Sequence, residues 1–514
     1  MQRSASIVVV VLWLLTGCSA DVGAGESGQS TDGKEPDFLD GGGSTRLPLA
    51  VDDGDGVLRL AMVRPGTSDP AEVVLTDQPA VILADLLYDG LTEAVGTEGR
   101  LRPGLATTWS ANDDFTVWTF HLDPSAGLGA QEVADVLSVY AADGGRRNGR
   151  VGAGAVVAAG IESVTFEGEA SVVVRLAAPN AGLPWVLSGL PFSIVGSDGA
   201  STGDYRIDSE DETKMILAAR AEAAPGGPDQ IVLRWVADGS QAYELLRNGE
   251  VDAAVVDQRS FADAGQRFGA TVVATSAVRF YVLNADSPVL TTAEARRAVL
   301  AAVDRPALIS SGFGQQVIET DSLISPSLAG YSGRAVCGSV CAFDPGLATA
   351  ALASIGPTNL RVAYTGEEHE ELARNVTKEL RSAGFGARHT ALAPDALASV
   401  IVDGDADLFA FGWVAPATSS DAVIPPLLAI DSAANIARID SPRVARLLAE
   451  AAVTADDAAR WALLADAHRA AMDDVLLLPI AASTSRLVRG DAADSLLMRA
   501  DGSIDVESVT EAVG

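Results

Sequence analysis

Hydrophobic and polar positions follow two rhythms along the chain. Residues 57–62 (VLRLAM) alternate with period two and predict a strand, which Arg64-Pro65-Gly66 ends. Residues 116–122 (TVWTFHL) and 171–176 alternate in the same way. Residues 80–88 read as a helix stopped by Asp89-Gly90, and 291–303 (TTAEARRAVLAAV) as another. In that second helix, Thr291 and Glu294 have the spacing of a capping box, Leu300 and Val303 point to the core, and Pro306 discourages continuation. Two stretches alternate strand and helix. The first runs 231–235 strand, 240–247 helix, 251–256 strand. The second runs 360–364 strand, 367–382 helix, 386–392 strand, 393–402 helix, 407–412 strand. The long helix carries acids in its first turn, Leu372, Val376 and Leu380 on one face, Arg381 near its end and Gly384 as its stop. This order predicts an α/β fold with parallel strands and right-handed crossovers. Open sheets of that kind bind ligands beyond the carboxyl ends of their strands, where Trp413 falls.

Composition narrows the function. The chain has 514 residues and a formal charge of −33, which argues against a nucleic-acid partner. Basic residues are nearly all arginine, with Lys34, Lys214 and Lys378 the only lysines. The sequence shows no GxSxG elbow and no HExxH. Gly28, Gly33 and Lys34 mimic a P-loop, but Glu35 replaces its Ser/Thr and no strand precedes it. Asp403, Asp405 and Asp407 open like a calcium loop, but Leu408 and Val414 occupy its glycine and glutamate positions. The four histidines (His121, His369, His389, His468) have no ligand spacing. No catalytic residue, cofactor or resident metal is therefore expected. Cys337 and Cys341 in CGSVC favour a local disulfide outside the cytoplasm; a metal pair would need further ligands.

The N-terminus reads as an address. Arg3 precedes an apolar stretch, 7–15, too short to span a bilayer and of the length of a signal-peptide core. The following Leu15-Thr16-Gly17-Cys18 resembles the bacterial lipobox, which implies cleavage at 1–17 and acylation of Cys18. Residues 18–55, rich in Gly, Ser, Asp and Glu, read as a flexible tether.

Several segments then carry a family resemblance. Leu87-Tyr88-Asp89-Gly90-Leu91, residues 102–110 (RPGLATTWS) and 118–122 (WTFHL) resemble the N-terminal signature of the family 5 solute-binding proteins, receptors of peptide and nickel ABC importers. Gly203-Asp204-Tyr205 resembles that family's GTGPY turn, with Asp204 replacing proline. Residues 281–284 (YVLN), 295–299 (ARRAV), 302–305 (AVDR) and 407–413 (DLFAFGW) follow in the family's order.

The resemblance implies a two-lobed periplasmic-binding-protein fold of the large type. Lobe I would cover 56–278 plus 482–514, with an extra subdomain inserted over about 76–200, and lobe II 279–481. Two strands would cross near 279–284 and 476–482. It implies a monomer, lipid-anchored to the cell membrane, that closes on an oligopeptide and presents it to a permease. Haem, a metal chelate or a sugar-like solute are alternative ligands; a regulatory envelope lipoprotein is an alternative role. In peptide-binding members, an aspartate three residues past the Gly-Trp tryptophan pairs with the peptide ammonium; here that position is Pro416. Asp421 could serve from further along the loop, or be a turn or capping acid before 423–428. Trp413, Ala415, Thr418, Asp421, Tyr331 and Asp69 are the candidate ligand contacts on this resemblance, Trp413 as pocket wall or core. Trp118 and Trp235 read as core.

Overall fold

The computed structural model describes residues 56–512 apart from 96–99, 124–126, 143–145, 148–149, 152–156, 158–159, 221–226, 313–316, 334–335, 357, 367–368 and 394–405. The signal segment, the tether with Cys18, the P-loop mimic, Asp403, Asp405 and the expected helix from 394 onward lie outside these residues.

The alternating segments become strands at or within a residue of their expected ends: Val57–Val63, Val117–Leu122, Ser171–Leu176, Gln230–Val236 and Leu360–Tyr364. The expected strand 251–256 is shorter. Only Ala253–Ala254 pair, wedged between Val57–Val63 and Leu477–Arg489; ahead of them Asp252 N donates to Arg59 O at 2.9 Å and its carboxylate accepts the backbone N–H of Arg59 at 2.8 Å. The helix expected over 291–303 runs Ala293–Ala301. Its cap is Thr292, which accepts from Ala295 N at 3.1 Å. That one-residue shift puts Glu294 too early to complete a capping box with it. Leu300 and Val303 are buried as expected.

One 11-stranded sheet runs through both lobes. In the first lobe, Val57–Val63 lies parallel between Gln230–Val236 and Ala253–Ala254, so the first strand–helix–strand unit straddles it. In the second, Leu360–Tyr364 lies parallel between Ala387–Ala391 and Leu408–Val414. Two long antiparallel strands, Gly269–Leu283 and Leu477–Arg489, join these halves. Residues 269–274 pair with 484–489 on the first-lobe side, and 278–282 with 477–482 on the second. Their ladder is interrupted between Ala274 and Val278 and shifts again between Arg279 and Phe280, the second irregularity lying within the expected 279–284.

A separate antiparallel sheet of four strands (Ala106–Ala111, Val117–Leu122, Ser171–Leu176, Ile161–Glu167) packs against helix Ala130–Ala142. Its core holds Trp118, Phe120, Leu137 and Phe192. The short helix Leu183–Leu187 closes the bottom of that core through Leu183, Val186 and Leu187. Trp235 is only half-buried, with the Arg64 guanidinium 5.9 Å from its ring. Among the described residues no helix is long and apolar enough to cross a membrane.

Candidate functional site

Strand Leu408–Val414 is buried along its whole length and pairs antiparallel with the crossing strand, Val278 opposite Trp413 and Ala277 opposite Val414. The chain then leaves the sheet at the lobe passage. Ala415 N donates to Ser276 O at 3.2 Å, which ties the following loop to the break in the crossing strand. Trp413 is buried, and its indole N–H donates to Ala422 O at 3.0 Å. The ring is thus a floor for residues 415–422, with its polar edge already used.

The loop is held from a second direction by residues 328–331. Ala329 N donates to Thr418 O at 3.0 Å and Ser420 N to Ala329 O at 2.9 Å. Gly330, at φ +84°, permits this approach, since a Cβ there would collide with Ser420 Oγ and crowd the Trp461 ring. Tyr331 follows directly, half-buried against the second-lobe core, and burial raises its phenol above the ordinary value.

Asp421 sits at the centre of this cluster and is buried. Its Oδ1 accepts from Arg460 Nε at 2.8 Å; its Oδ2 accepts from Trp461 Nε1 at 2.8 Å, Arg460 Nη2 at 3.3 Å and Ser419 Oγ at 3.3 Å. Arg460 is 1% exposed. It also donates to Asp457 Oδ1 at 2.6 Å and to the carbonyls of Thr454 and Ala455. Burial works against its charge, but Asp421 and then Asp457 outweigh that and hold the guanidinium above its ordinary value. Beside this satisfied pair are two hydroxyls, Thr418 Oγ1 and Ser420 Oγ, that are buried without a hydrogen-bond partner.

The segment that closes the four-stranded unit packs onto this loop. Trp185 Nε1 donates to Asp457 Oδ2 at 3.0 Å, and its ring meets Trp461 edge-on with centroids 5.1 Å apart. Ala181 N donates to Ala452 O at 2.8 Å. Glycine is required at two points of this contact: a Cβ on Gly182 would strike the Asp421 carboxylate, and one on Gly189 the Pro416 carbonyl. The site is therefore a seam between residues 181–189 and residues 416–422 with 452–461.

The structure brings Trp413, Ala415, Thr418, Asp421 and Tyr331 into this one region. Asp69 stands elsewhere. It is in the turn after Val57–Val63, accepting from Ala71 N at 3.0 Å, next to Tyr88. Sequence reasoning passed over Arg460, Trp461, Asp457 and Trp185. One signal was present: Arg460 shares the i, i+4, i+8 stripe of Leu464 and His468 on helix Asp457–Met472, so an arginine lies in an apolar row.

Other candidate chemistry is structural. Cys337 and Cys341 are joined as a disulfide, Cα atoms 5.5 Å apart, around a turn buried in the second-lobe core. Among the described residues no three His, Cys, Asp or Glu side chains are placed to hold a metal. His468 is enclosed, and burial with Arg469 lowers it to about 3, so it stays neutral and accepts from Leu323 N. Asp407 staples three segments, accepting from Arg361 N at 2.7 Å and Ser287 Oγ at 2.6 Å while its carbonyl accepts from Asn284 N. In the first lobe, a small cavity is lined by Asp85, Asp89, Glu93, Asp204, Asp501 and Glu507 around Arg499.

Residues 100–435 match the family of bacterial extracellular solute-binding proteins, family 5, middle region. The chain is 24% identical over 300 residues to the glutathione-binding protein GsiB of Shigella dysenteriae serotype 1 (strain Sd197), a match that takes in 54% of this chain. It spans 57% of the length of that curated relative. Among solved structures, the unliganded open form of the periplasmic murein tripeptide binding protein MppA superposes with a TM-score of 0.71 at 17% identity, covering 88% of this chain and 96% of that one. NikA from Brucella suis, in complex with Fe(III)-EDTA, superposes with a TM-score of 0.69 at 18% identity, covering 88% and 99%. At such identities the likeness shows a shared two-lobed fold.

Proposed function

The chain belongs to the family 5 bacterial extracellular solute-binding proteins, and from that premise we propose that it is a lipid-anchored receptor that captures a peptide-class solute between its lobes and delivers it to an ABC permease. Lobe I would comprise 56–278 and 482–514, with the four-stranded unit as the subdomain inserted over about 76–200, and lobe II 279–481. The observation that carries this proposal is the seam between residues 181–189 and 416–422, which lies beside the break in the two crossing strands. Rotation about that break opens or closes the seam without disturbing either core, as hinge closure requires. Trp413 floors the site, Ala415 ties the loop to the hinge, and Thr418 supplies a hydroxyl with no internal partner. Tyr331 borders the same loop; Asp69 would contribute only from the first-lobe rim. Peptide is favoured because GsiB and MppA are named for glutathione and a murein tripeptide. No reaction is needed for this role, and the receptor would act as a monomer.

Native mass spectrometry of protein gently purified from its own membrane tests this. Co-purifying peptide masses support the proposal; a protein without bound solute, whose tryptophan fluorescence ignores peptide libraries, contradicts it. Acylation has its own test: Cys18→Ala should move the protein from the membrane fraction to the soluble one. A metal chelate is the second ligand class, favoured by the internal balancing of Asp421, which leaves the loop without a free charge for a peptide ammonium.

A further inference from the structure

We propose that Arg460 is a specificity-determining residue: a resident counter-ion that uses up the charge of Asp421, so that the cleft selects solutes whose end at this loop is an uncharged, amide-type group and discriminates against a free ammonium. This rests on the receptor assignment above and narrows its ligand.

Four observations carry it. The first is saturation of the carboxylate. Asp421 receives two hydrogen bonds from Arg460 and one each from Trp461 and Ser419, which accounts for both oxygens. A carboxylate offers about four lone-pair sites, so an incoming ammonium would have to displace an existing donor. The second is the permanence of the donor. Arg460 is fully enclosed, cannot lose its proton in a protein, and is gripped independently by Asp457 and by the carbonyls of Thr454 and Ala455. It cannot swing aside without giving up these three contacts as well as Asp421. Third, an ammonium brought to Asp421 would also face the Arg460 guanidinium that holds both of its oxygens, and that repulsion offsets part of its attraction to the acid. Fourth, the free hydrogen-bonding capacity next to Asp421 is neutral: Thr418 Oγ1 and Ser420 Oγ are buried hydroxyls without partners. Hydroxyls can donate to or accept from an amide, which removes the cost of their own desolvation.

The arrangement also explains why Gly182 must be bare. Its Cα packs over the Asp421 carboxylate from the opposite side of the seam. The first lobe thus meets a carboxylate whose acceptor sites are already taken when it closes, and Trp185 donates to Asp457, the second acid on Arg460.

The test uses full-length protein and a library of matched short peptides, each with a free and an N-acetylated amino end, measured by titration calorimetry. The wild type is expected to bind the two forms within about threefold, or to favour the acetylated one. Arg460→Met, which keeps the apolar stem and removes the charge, is expected to shift the preference toward the free amine by tenfold or more. If that variant fails to fold, Arg460→Gln takes its place with the same expectation. A wild type that prefers the free amine tenfold overturns the inference, as does a folded neutral variant with unchanged preference. If the wild type binds neither form, the peptide assignment fails on its own. Gain of free-amine binding in the neutral variant would then still support the counter-ion role, and no gain would overturn it.

Discussion

Asp421 and Gly182 show how closely single residues set this site. The carboxylate is balanced inside one lobe by Arg460, and the facing lobe presents a residue with no side chain to it. Removing one partner of a buried pair commonly costs about 3–5 kcal/mol, because it strands the other charge. Adding a side chain on the opposite wall should act differently. Gly182→Val places carbon atoms where the Asp421 oxygen lies, so the lobes cannot meet while each core stays intact. Small-angle scattering should show a larger radius of gyration for this variant at unchanged helix content; identical scattering would remove the seam from the closing mechanism. The position of Trp413 at the end of a sheet strand was legible in the sequence, and the structure buries its ring in the second-lobe core. Its partner network was not legible. Arg460 is 39 residues from Asp421 in sequence, and nothing in local spacing pairs them.

At the scale of elements, part of the acidity that dominates the composition has a local task. Asp77, Asp238, Asp257, Asp344 and Asp456 each cap a helix, accepting from the backbone N–H three residues on. Asp456 is the informative one, because its helix carries Arg460 in its first turn. Asp456→Ala should cost about 1 kcal/mol of stability and loosen the seam. Urea unfolding checks the first effect and proteolysis near 452–461 the second; a silent substitution on both counts would show the helix start is fixed by the Arg460 contacts alone. Strand periodicity was legible almost to the residue for Ser171–Leu176 and Leu360–Tyr364, and Gly384, at φ +98°, ends helix Glu370–Ser382 as its position implied. What failed was whatever depended on neighbours. The cap moved from Thr291 to Thr292, two adjacent threonines that local chemistry cannot rank. The strand at 251–256 is reduced to Ala253–Ala254, whose two partners are strands distant in sequence.

The whole molecule couples two lobes through two strands, and its first lobe holds a cluster of half-buried carboxylates. In the first lobe, Arg499 is shared among Asp85, Glu93 and Asp505, and Glu93 is held in addition by Arg102 at 2.9 Å, so Arg499 compensates Asp85 only in part. Burial, partly offset by Arg499 and reinforced by Asp501 and Glu93, raises Asp85 to about 7; burial likewise raises Asp89 and Glu93. In the unfolded chain an aspartate ionises near pH 4. Between roughly pH 4 and 7 the folded state therefore holds protons that the unfolded state has lost, and stability falls as pH rises through that window. Thermal unfolding at pH 5 and pH 7.5 should give the higher midpoint at pH 5. General repulsion within a chain of net charge −33 acts in the same direction. The specific comparison is Asp85→Asn, which should flatten the pH dependence; a slope unchanged in that variant would clear Asp85 of that role. The two-lobed architecture itself was legible from the order of weak motifs, since their sequence of appearance constrains topology more than any one of them does. The bridging seam was not, because its two walls come from segments more than 200 residues apart that no periodicity links.

Hydrogen–deuterium exchange, comparing protein carrying its co-purified solute with protein stripped of it by partial unfolding and refolding, tests the receptor assignment most directly. Bound solute should slow exchange together in residues 181–192, 413–422 and 454–461, and leave the four-stranded sheet unchanged. Protection confined to another surface, or no difference between the two states, would contradict a receptor that closes on its ligand at this seam.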